Sequence, residues 1–204
     1  HQPDLVSSSH DTLHHRPRRG SPSGRAEVIK HASIPAHNRL EGLEGPVVPV
    51  RARKDRNIVS SVIETAVGVK ADVVSADERE EGQRAILNFG HTFAHALERV
   101  AGYGAFTHGE AVALGMRAGL YLSHQRHPEA VPRARLDHVI RAVPIETDPS
   151  TVSFSDLYAA MAADKKNEGD TIRFVLLEQL GEAYVSGDVT EDDARHAWHF
   201  ACSD

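Results

Sequence analysis

A chain of 204 residues with 40% hydrophobic and 25% charged residues has the composition of a soluble globular protein with room for one good core or two small ones. Its net charge of −6 gives no electrostatic reason to expect nucleic acid or an anionic membrane as a partner. Its single cysteine, Cys202, excludes an internal disulfide framework and fits a reducing, cytoplasmic compartment, and no apolar run approaches the ~18 residues of a membrane span.

The chain begins with His1 rather than Met, as a fragment or processed product would, and no secretory pattern opens it. Residues 1–24, HQPDLVSSSHDTLHHRPRRGSPSG, are poor in apolar side chains after Val6 and rich in Ser, Pro, His and Arg. Such a segment cannot bury enough surface to offset its ordering entropy. It is expected to be a solvated, flexible tail, with the folded domain over residues 25–204. GRAEVIKHA, residues 24–32, is a short helical prospect, whereas EGLEGPVVPV, residues 41–50, is broken by Gly and Pro and reads as loop. Ile58, Val59, Val62, Ile63, Ala66, Val67, Val73 and Val74 recur at helical spacing and predict a helix over about 55–76. SADEREEGQ follows as a charged connection.

A second long helix is predicted over about 84–101, with Gly102 as its stop. A third begins at Thr107, whose spacing to Glu110 is that of a capping box, and carries Val112, Leu114, Met116 and Leu120 on its apolar face. Two further helices are predicted near 131–142 and 155–163. TIRFVLLE and EAYVSG read as strands joined by a turn at Leu180–Gly181. TEDDARHAWHFA closes the chain as a helix capped by Thr190 and Asp193. The fold class is therefore mainly α with one small β-hairpin.

Three histidines, His91, His95 and His108, interrupt a stretch that otherwise reads as hydrophobic helix. His91 and His95 are four residues apart and share a helix face, and Gly90 leaves room for something to approach the backbone. The turn AGYGAFT can bring His108, at the next helix start, back beside His91. Two imidazoles suit zinc or a similar ion, and a carboxylate is the usual third ligand. Glu27, Glu80, Glu98 and Glu110 are the candidates. With fourteen histidines in the chain, such a spacing also arises by chance, and helix histidines bonded to neighbouring carbonyls or carboxylates are the plainer reading.

The lysines narrow the chemistry. There are five, Lys30, Lys54, Lys70, Lys165 and Lys166. Lys30 follows Glu27 by one helical turn, and Arg84 and Asn88 precede His91 by about two turns and one. Lys, Arg, His and Asn around a metal suit a small polyanion such as a phosphorylated sugar acid. Snorkelling accounts equally for Lys70, and an exposed turn for Lys165–Lys166.

AEVIK, KADVVSADEREEGQRAILNFGHTFAHALE, GYGAFTHGEAVALGM and DKKNEGDTIRFVLLEQLGEAYV closely resemble the C-terminal half of the 3-dehydroquinate synthase family, from about residue 24 to the C terminus. That family belongs to the sugar phosphate cyclases. The resemblance implies a helical metal-binding C-terminal domain, with the NAD-binding α/β domain outside this chain, and indeed no Gly-rich phosphate loop follows a strand here. Carried over by position, it makes Glu27, His91 and His108 the metal ligands, for Zn2+ or Co2+. Lys30, Lys70, Arg84, Asn88 and His95 match the family's substrate- and phosphate-binding positions, joined by one of Lys165 and Lys166. Ala94 stands where the family often has Gly.

The implied reaction converts 3-deoxy-arabino-heptulosonate 7-phosphate to 3-dehydroquinate and phosphate, with NAD as the hydride carrier and the protein acting by position and electrostatics. The implied partner is that phosphorylated sugar acid, in a homodimer, and this fragment alone is expected to be inactive. Two alternatives stand beside it: another sugar phosphate cyclase, or a truncated, non-catalytic metal-binding remnant.

Overall fold

A computed structural model describes residues 20–34, 64, 66–68, 70–71, 75, 83–102, 104–165 and 171–203. Of the flexible segment predicted over residues 1–24, the first nineteen lie outside the described residues and 20–24 are helical instead. The loop at 41–50 and most of the helix at 55–76 also lie outside them, although Glu64, Ala66, Val67, Gly68, Lys70, Ala71 and Ser75 are helical. Helix α1 spans Gly20–Ser33, starting earlier than GRAEVIKHA alone predicts. Pro22 falls in its first turn, where a missing N–H costs nothing. Ala26 and Ile29 bury one face, and the Ser33 hydroxyl donates to the Ile29 carbonyl at 2.8 Å in the last turn.

The helix expected over 84–101 is instead two segments. A 3₁₀ helix spans Gln83–Asn88, the chain turns at Gly90, and α2 runs over His91–Ala101. Gly90 has φ +81°, a left-handed conformation that disfavours a side chain. A Cβ there would lie 2.6 Å from the Met116 nitrogen, and one on Gly115 would lie 2.0 Å from the Gly90 carbonyl oxygen. Two backbones therefore touch where the sequence has glycine on both sides. Apolar periodicity does not reveal this break, because Leu87 and Phe89 on one side and Phe93 and Leu97 on the other feed the same core.

Gly102 ends α2 with φ +84°, and Thr107 opens α3, His108–Arg126, with the predicted capping box. The Glu110 carboxylate accepts from the Thr107 N–H and hydroxyl, both at 2.7 Å, and from the Glu146 N–H at 2.6 Å. Helix α3 was expected to bury one face. It is buried nearly all round, because α1, α2, β1 (Phe174–Gln179), α4 (Arg133–Ile140) and α6 (Glu191–Cys202) all pack on it. Ala111, Ala113, Gly115, Ala118 and Gly119 let these neighbours come close. Arg117 would be a buried charge, but its guanidinium bonds Asp137 at 2.8 Å, the Ser203 carbonyl at 2.8 Å and the Ala201 carbonyl. It thereby ties α4 and the end of α6 to the central helix.

Helix α5 spans Phe154–Lys165 and is followed by the hairpin of β1, Phe174–Gln179, and β2, Glu182–Ser186. The strands are antiparallel with Phe174 opposite Ser186 and an irregularity between Leu177 and Gln179. The turn at Gly181 donates its N–H to the Ser33 carbonyl at 3.1 Å, which anchors the hairpin to the end of α1. Thr190 and Asp193 form the predicted cap of α6, and Trp198 stacks on Phe93 of α2 at 6.3 Å between ring centroids.

Gly115→Ala is expected to cost about 3 kcal/mol or more, since backbone must move, and Gly119→Ala, which meets the Phe89 ring edge at 3.0 Å, about 1 kcal/mol. Urea unfolding midpoints check the order. Glu110→Ala should cost about 2–4 kcal/mol by removing a cap and orphaning the Glu146 N–H. Burial acts to raise the Glu110 pKa, but the N–H groups of Glu146 and Thr107 outweigh it and hold it below 4.5. Its contribution is thus present above pH 4.5 and is lost as pH falls through the lowered value. A wild-type stability advantage over the variant that persists unchanged in strong acid would contradict this.

Candidate metal centre

Three elements deliver one side chain each to a common point. Glu27 comes from the buried face of α1, His91 from the first residue of α2 and His108 from the first residue of α3. Their ligand atoms all lie within 4.8 Å of one another. Glu27 Oε1 is 3.8 Å from His91 Nε2 and 3.6 Å from His108 Nε2. Tetrahedral zinc with protein ligands at about 2.0–2.1 Å spaces them roughly 3.3 Å apart, so a small contraction seats an ion here.

The Glu27 carboxylate divides its work. Oε2 pairs with Lys30 Nζ at 2.8 Å, while Oε1 is buried and has no hydrogen-bond partner. An orphaned buried oxygen facing two imidazole nitrogens fits a cation, because each of these atoms can offer a lone pair. The two histidines are set for it through their other nitrogens. His91 Nδ1 lies 3.3 Å from the Phe89 carbonyl and His108 Nδ1 lies 3.2 Å from Glu98 Oε1.

The electrostatics agree with the geometry. Burial works to raise the Glu27 pKa, but His108, Lys30 and His91 outweigh it and bring it to about 2. Burial, reinforced by the Lys30 charge, lowers His91 to about 4, so its ring is neutral at pH 7. Pairing with Glu27, and then Glu98, raises His108 against the opposing effect of burial. Lys30 is itself lowered by burial, with Glu27 opposing.

A cavity of about 260 Å³ opens beside these ligands, and Lys30, His31, Lys70, Leu87 and Asn88 complete its lining. Lys30, Lys70 and Asn88, expected from the sequence to meet substrate, are thus among the lining residues. His95 is exposed one turn along α2, its ring edge-on to His91 at 5.3 Å between centroids and outside that lining. The side chains of Arg84 and Lys165, and the whole of Lys166 and Glu80, lie outside the described residues. Of the other carboxylates considered as ligands, Glu110 is consumed by the α3 cap and Glu98 touches His108 from behind. The sequence reading missed His31, whose Nδ1 is buried without a partner, and its only signal was its place after Lys30.

In the metal-free chain, ring-proton NMR should find His91 titrating near 4 and His108 above 6.5. The paired, protonated His108 contributes stability that is complete below pH 6.5 and fades as pH rises through its raised pKa. His91, depressed, acts oppositely, costing stability as pH falls from 6.5 to about 4. Glu27→Gln should bring His108 back towards 6.5, and no movement of that ring would contradict the pairing.

The 3-dehydroquinate synthase C-terminal family matches residues 24–167. A 3-dehydroquinate synthase of Salinibacter ruber is 80% identical over 203 residues, covering all of this chain and 55% of that protein. One from Acidithiobacillus ferrooxidans is 39% identical over 192 residues, covering 93% of this chain and 52% of that protein. The chain therefore spans about half the length of the curated relatives it matches. Among solved structures, 2-epi-5-epi-valiolone synthase from Streptomyces hygroscopicus, with NAD+ and Zn2+ bound, superimposes with a TM-score of 0.81 at 24% identity, over 95% of this chain and 54% of that one. A 2-deoxy-scyllo-inosose synthase complexed with carbaglucose-6-phosphate, NAD+ and Co2+ gives 0.69 at 24% identity, over 85% of this chain and 49% of that one. At that identity the likeness is one of fold. With its family match running across most of the chain, from the Glu27 helix past the histidine pair, this chain belongs to the 3-dehydroquinate synthase C-terminal family.

Proposed function

We propose that this chain is the metal- and substrate-binding half of a 3-dehydroquinate synthase, converting 3-deoxy-arabino-heptulosonate 7-phosphate to 3-dehydroquinate and phosphate. The observation that carries this reading is the convergence of Glu27 Oε1, His91 Nε2 and His108 Nε2 on one point at the wall of a cationic cavity. The 80% identity to the Salinibacter enzyme supports the substrate over those of the other sugar phosphate cyclases. In this reading the nucleotide-binding half lies outside this chain, which covers 55% of that relative.

In this reading Glu27, His91 and His108 hold Zn2+ or Co2+. When bound, such an ion polarises hydroxyl oxygens of the substrate, and NAD takes up and later returns a hydride. Lys30 and Lys70 supply positive charge for the carboxylate or phosphate of the sugar acid, with Arg84 and one of Lys165 and Lys166 added to the same task. Lys30, tied to Glu27 Oε2, also keeps that carboxylate in place, so one cation both orients a ligand and faces substrate. Asn88 can donate to or accept from a substrate hydroxyl at the cavity rim. His95, beside His91 and open to solvent, suits a proton relay to the leaving phosphate.

A homodimer and a cytoplasmic location complete the proposal. Burial raises the Cys202 thiol to about 11, which suits an unreactive structural cysteine rather than a disulfide partner. Among the described residues no helix is long and apolar enough to cross a membrane.

Purified wild-type chain is expected to hold about one zinc, as for three protein ligands with a further position left open, and His91→Ala and Glu27→Gln to hold none. The chain alone, given zinc, NAD and the sugar acid, should release no phosphate. Fused behind the N-terminal half of the Salinibacter relative it should release phosphate, and Lys30→Met in that fusion should lower kcat/KM by about 10²–10³-fold. Zinc-free wild-type protein would overturn the ligand set. A fusion that binds zinc but turns over only another cyclase substrate would overturn the assignment of the reaction.

A further inference from the structure

The two histidines are placed in the site by different means. His91 is anchored by its own chain, since its Nδ1 faces the carbonyl of Phe89 two residues earlier, and its side chain is only 12% exposed. His108 stands at the open end of α3 with its side chain 43% exposed. Among the described residues no backbone carbonyl lies at hydrogen-bond distance from its ring. Two carboxylates flank it: Glu98 Oε1 lies 3.2 Å from Nδ1 and Glu27 Oε1 lies 3.6 Å from Nε2.

A neutral imidazole carries one N–H and one lone pair, and a proton on Nε2 would close that nitrogen to an ion. A carboxylate only accepts, so each of the two favours an N–H on the nitrogen it faces, and Glu98, the nearer at 3.2 Å against 3.6 Å, favours the tautomer with the proton on Nδ1. Glu98 is seven residues, two helical turns, after His91 and so falls on the same side of α2. One helix therefore brings a ligand and, two turns on, the group that touches the ligand of its neighbour.

We propose that Glu98 is a positioning residue for the metal centre, accepting the Nδ1 proton of His108 and so holding the Nε2 lone pair towards Glu27 Oε1. This rests on the reading of Glu27, His91 and His108 as ligands. Glu98 makes no contact with the ion in this arrangement. Its action is to remove the freedom of an exposed ring to turn or to carry its proton on the wrong nitrogen, and to make that ring a more basic ligand.

The test has two independent readouts. Nitrogen-15 NMR of the metal-free wild-type chain, at alkaline pH where the ring is neutral, should find His108 protonated on Nδ1. In Glu98→Ala that preference should be lost, with the His91 tautomer and the urea midpoint unchanged. Zinc affinity, measured by competition with a chromogenic chelator, should fall about 10–100-fold in Glu98→Ala. Glu98→Gln keeps an acceptor oxygen and should lose less than about tenfold. A wild-type His108 protonated on Nε2 would overturn the proposal whether or not the alanine variant folds. So would a Glu98→Ala chain that binds zinc within about twofold of wild type. Wild type that takes up no zinc but keeps the Nδ1 tautomer would overturn the ligand reading and leave the role of Glu98 towards His108 standing.

Discussion

Contact between the backbones of Gly90 and Gly115 sets the geometry on which the site depends. The space between them has no room for even one Cβ, as the 2.0 Å from a built Gly115 Cβ to the Gly90 oxygen makes plain. The contact pins the start of α2 against the middle of α3. His91 is the residue after Gly90, so its ring is placed by this crossing, and α3 then carries His108 back to within 5.5 Å of it between ring centroids. Small residues at the crossing do here what a large interdigitating core does elsewhere: they leave the chain only one way to pack. Phe89 and Phe93, on either side of the pinned turn, are almost wholly buried and hold it from both sides.

Charge in the site is balanced by sharing. Glu27 serves Lys30 with one oxygen and faces two imidazoles with the other. Burying a lone carboxylate would cost several kcal/mol, so both of its oxygens need partners. Lys30 meets one need, and the same ion pair opposes the lowering of the Lys30 pKa by burial. The remaining oxygen is buried with no hydrogen-bond partner among the described residues, which leaves it open to a cation. This makes Glu27 and Lys30 a single unit, and a substitution at either would be felt both at the two imidazoles and at the cavity wall.

The framework below the site follows the same rule of pairing every buried polar group. Arg117 lies in the middle of the most deeply buried helix, yet its donors meet Asp137 and the carbonyls that end α6. Ser123, also buried, donates to the Gly119 carbonyl at 2.6 Å and accepts the Leu177 N–H at 2.8 Å. Thr92 on α2 bonds the Arg173 carbonyl at 2.8 Å. These side chains join the central helix and the site-bearing helix to the hairpin, so the start of α2 is held from the strand side as well as from α3.

Much of this was legible in the sequence for local reasons. Capping boxes at Thr107 and Thr190, the stop at Gly102 and the Leu180–Gly181 turn each depend on residues within a few positions of one another. The motif around His91 and the AEVIK stretch also marked Glu27, His91 and His108 before any geometry was known. What the sequence could not state was decided by packing between distant segments. The break of one predicted helix at Gly90 depends on Gly115, and the full burial of α3 depends on five elements closing around it. The placing of the described carboxylates was likewise tertiary: Glu110 turned inward to a cap, Glu98 to His108, and Glu27 to both imidazoles. Residue type and spacing determined which chemistry was on offer. Only the crossing of α1, α2 and α3 decided which atoms meet, because a ligand set drawn from three helices is a property of their packing and not of any one of them.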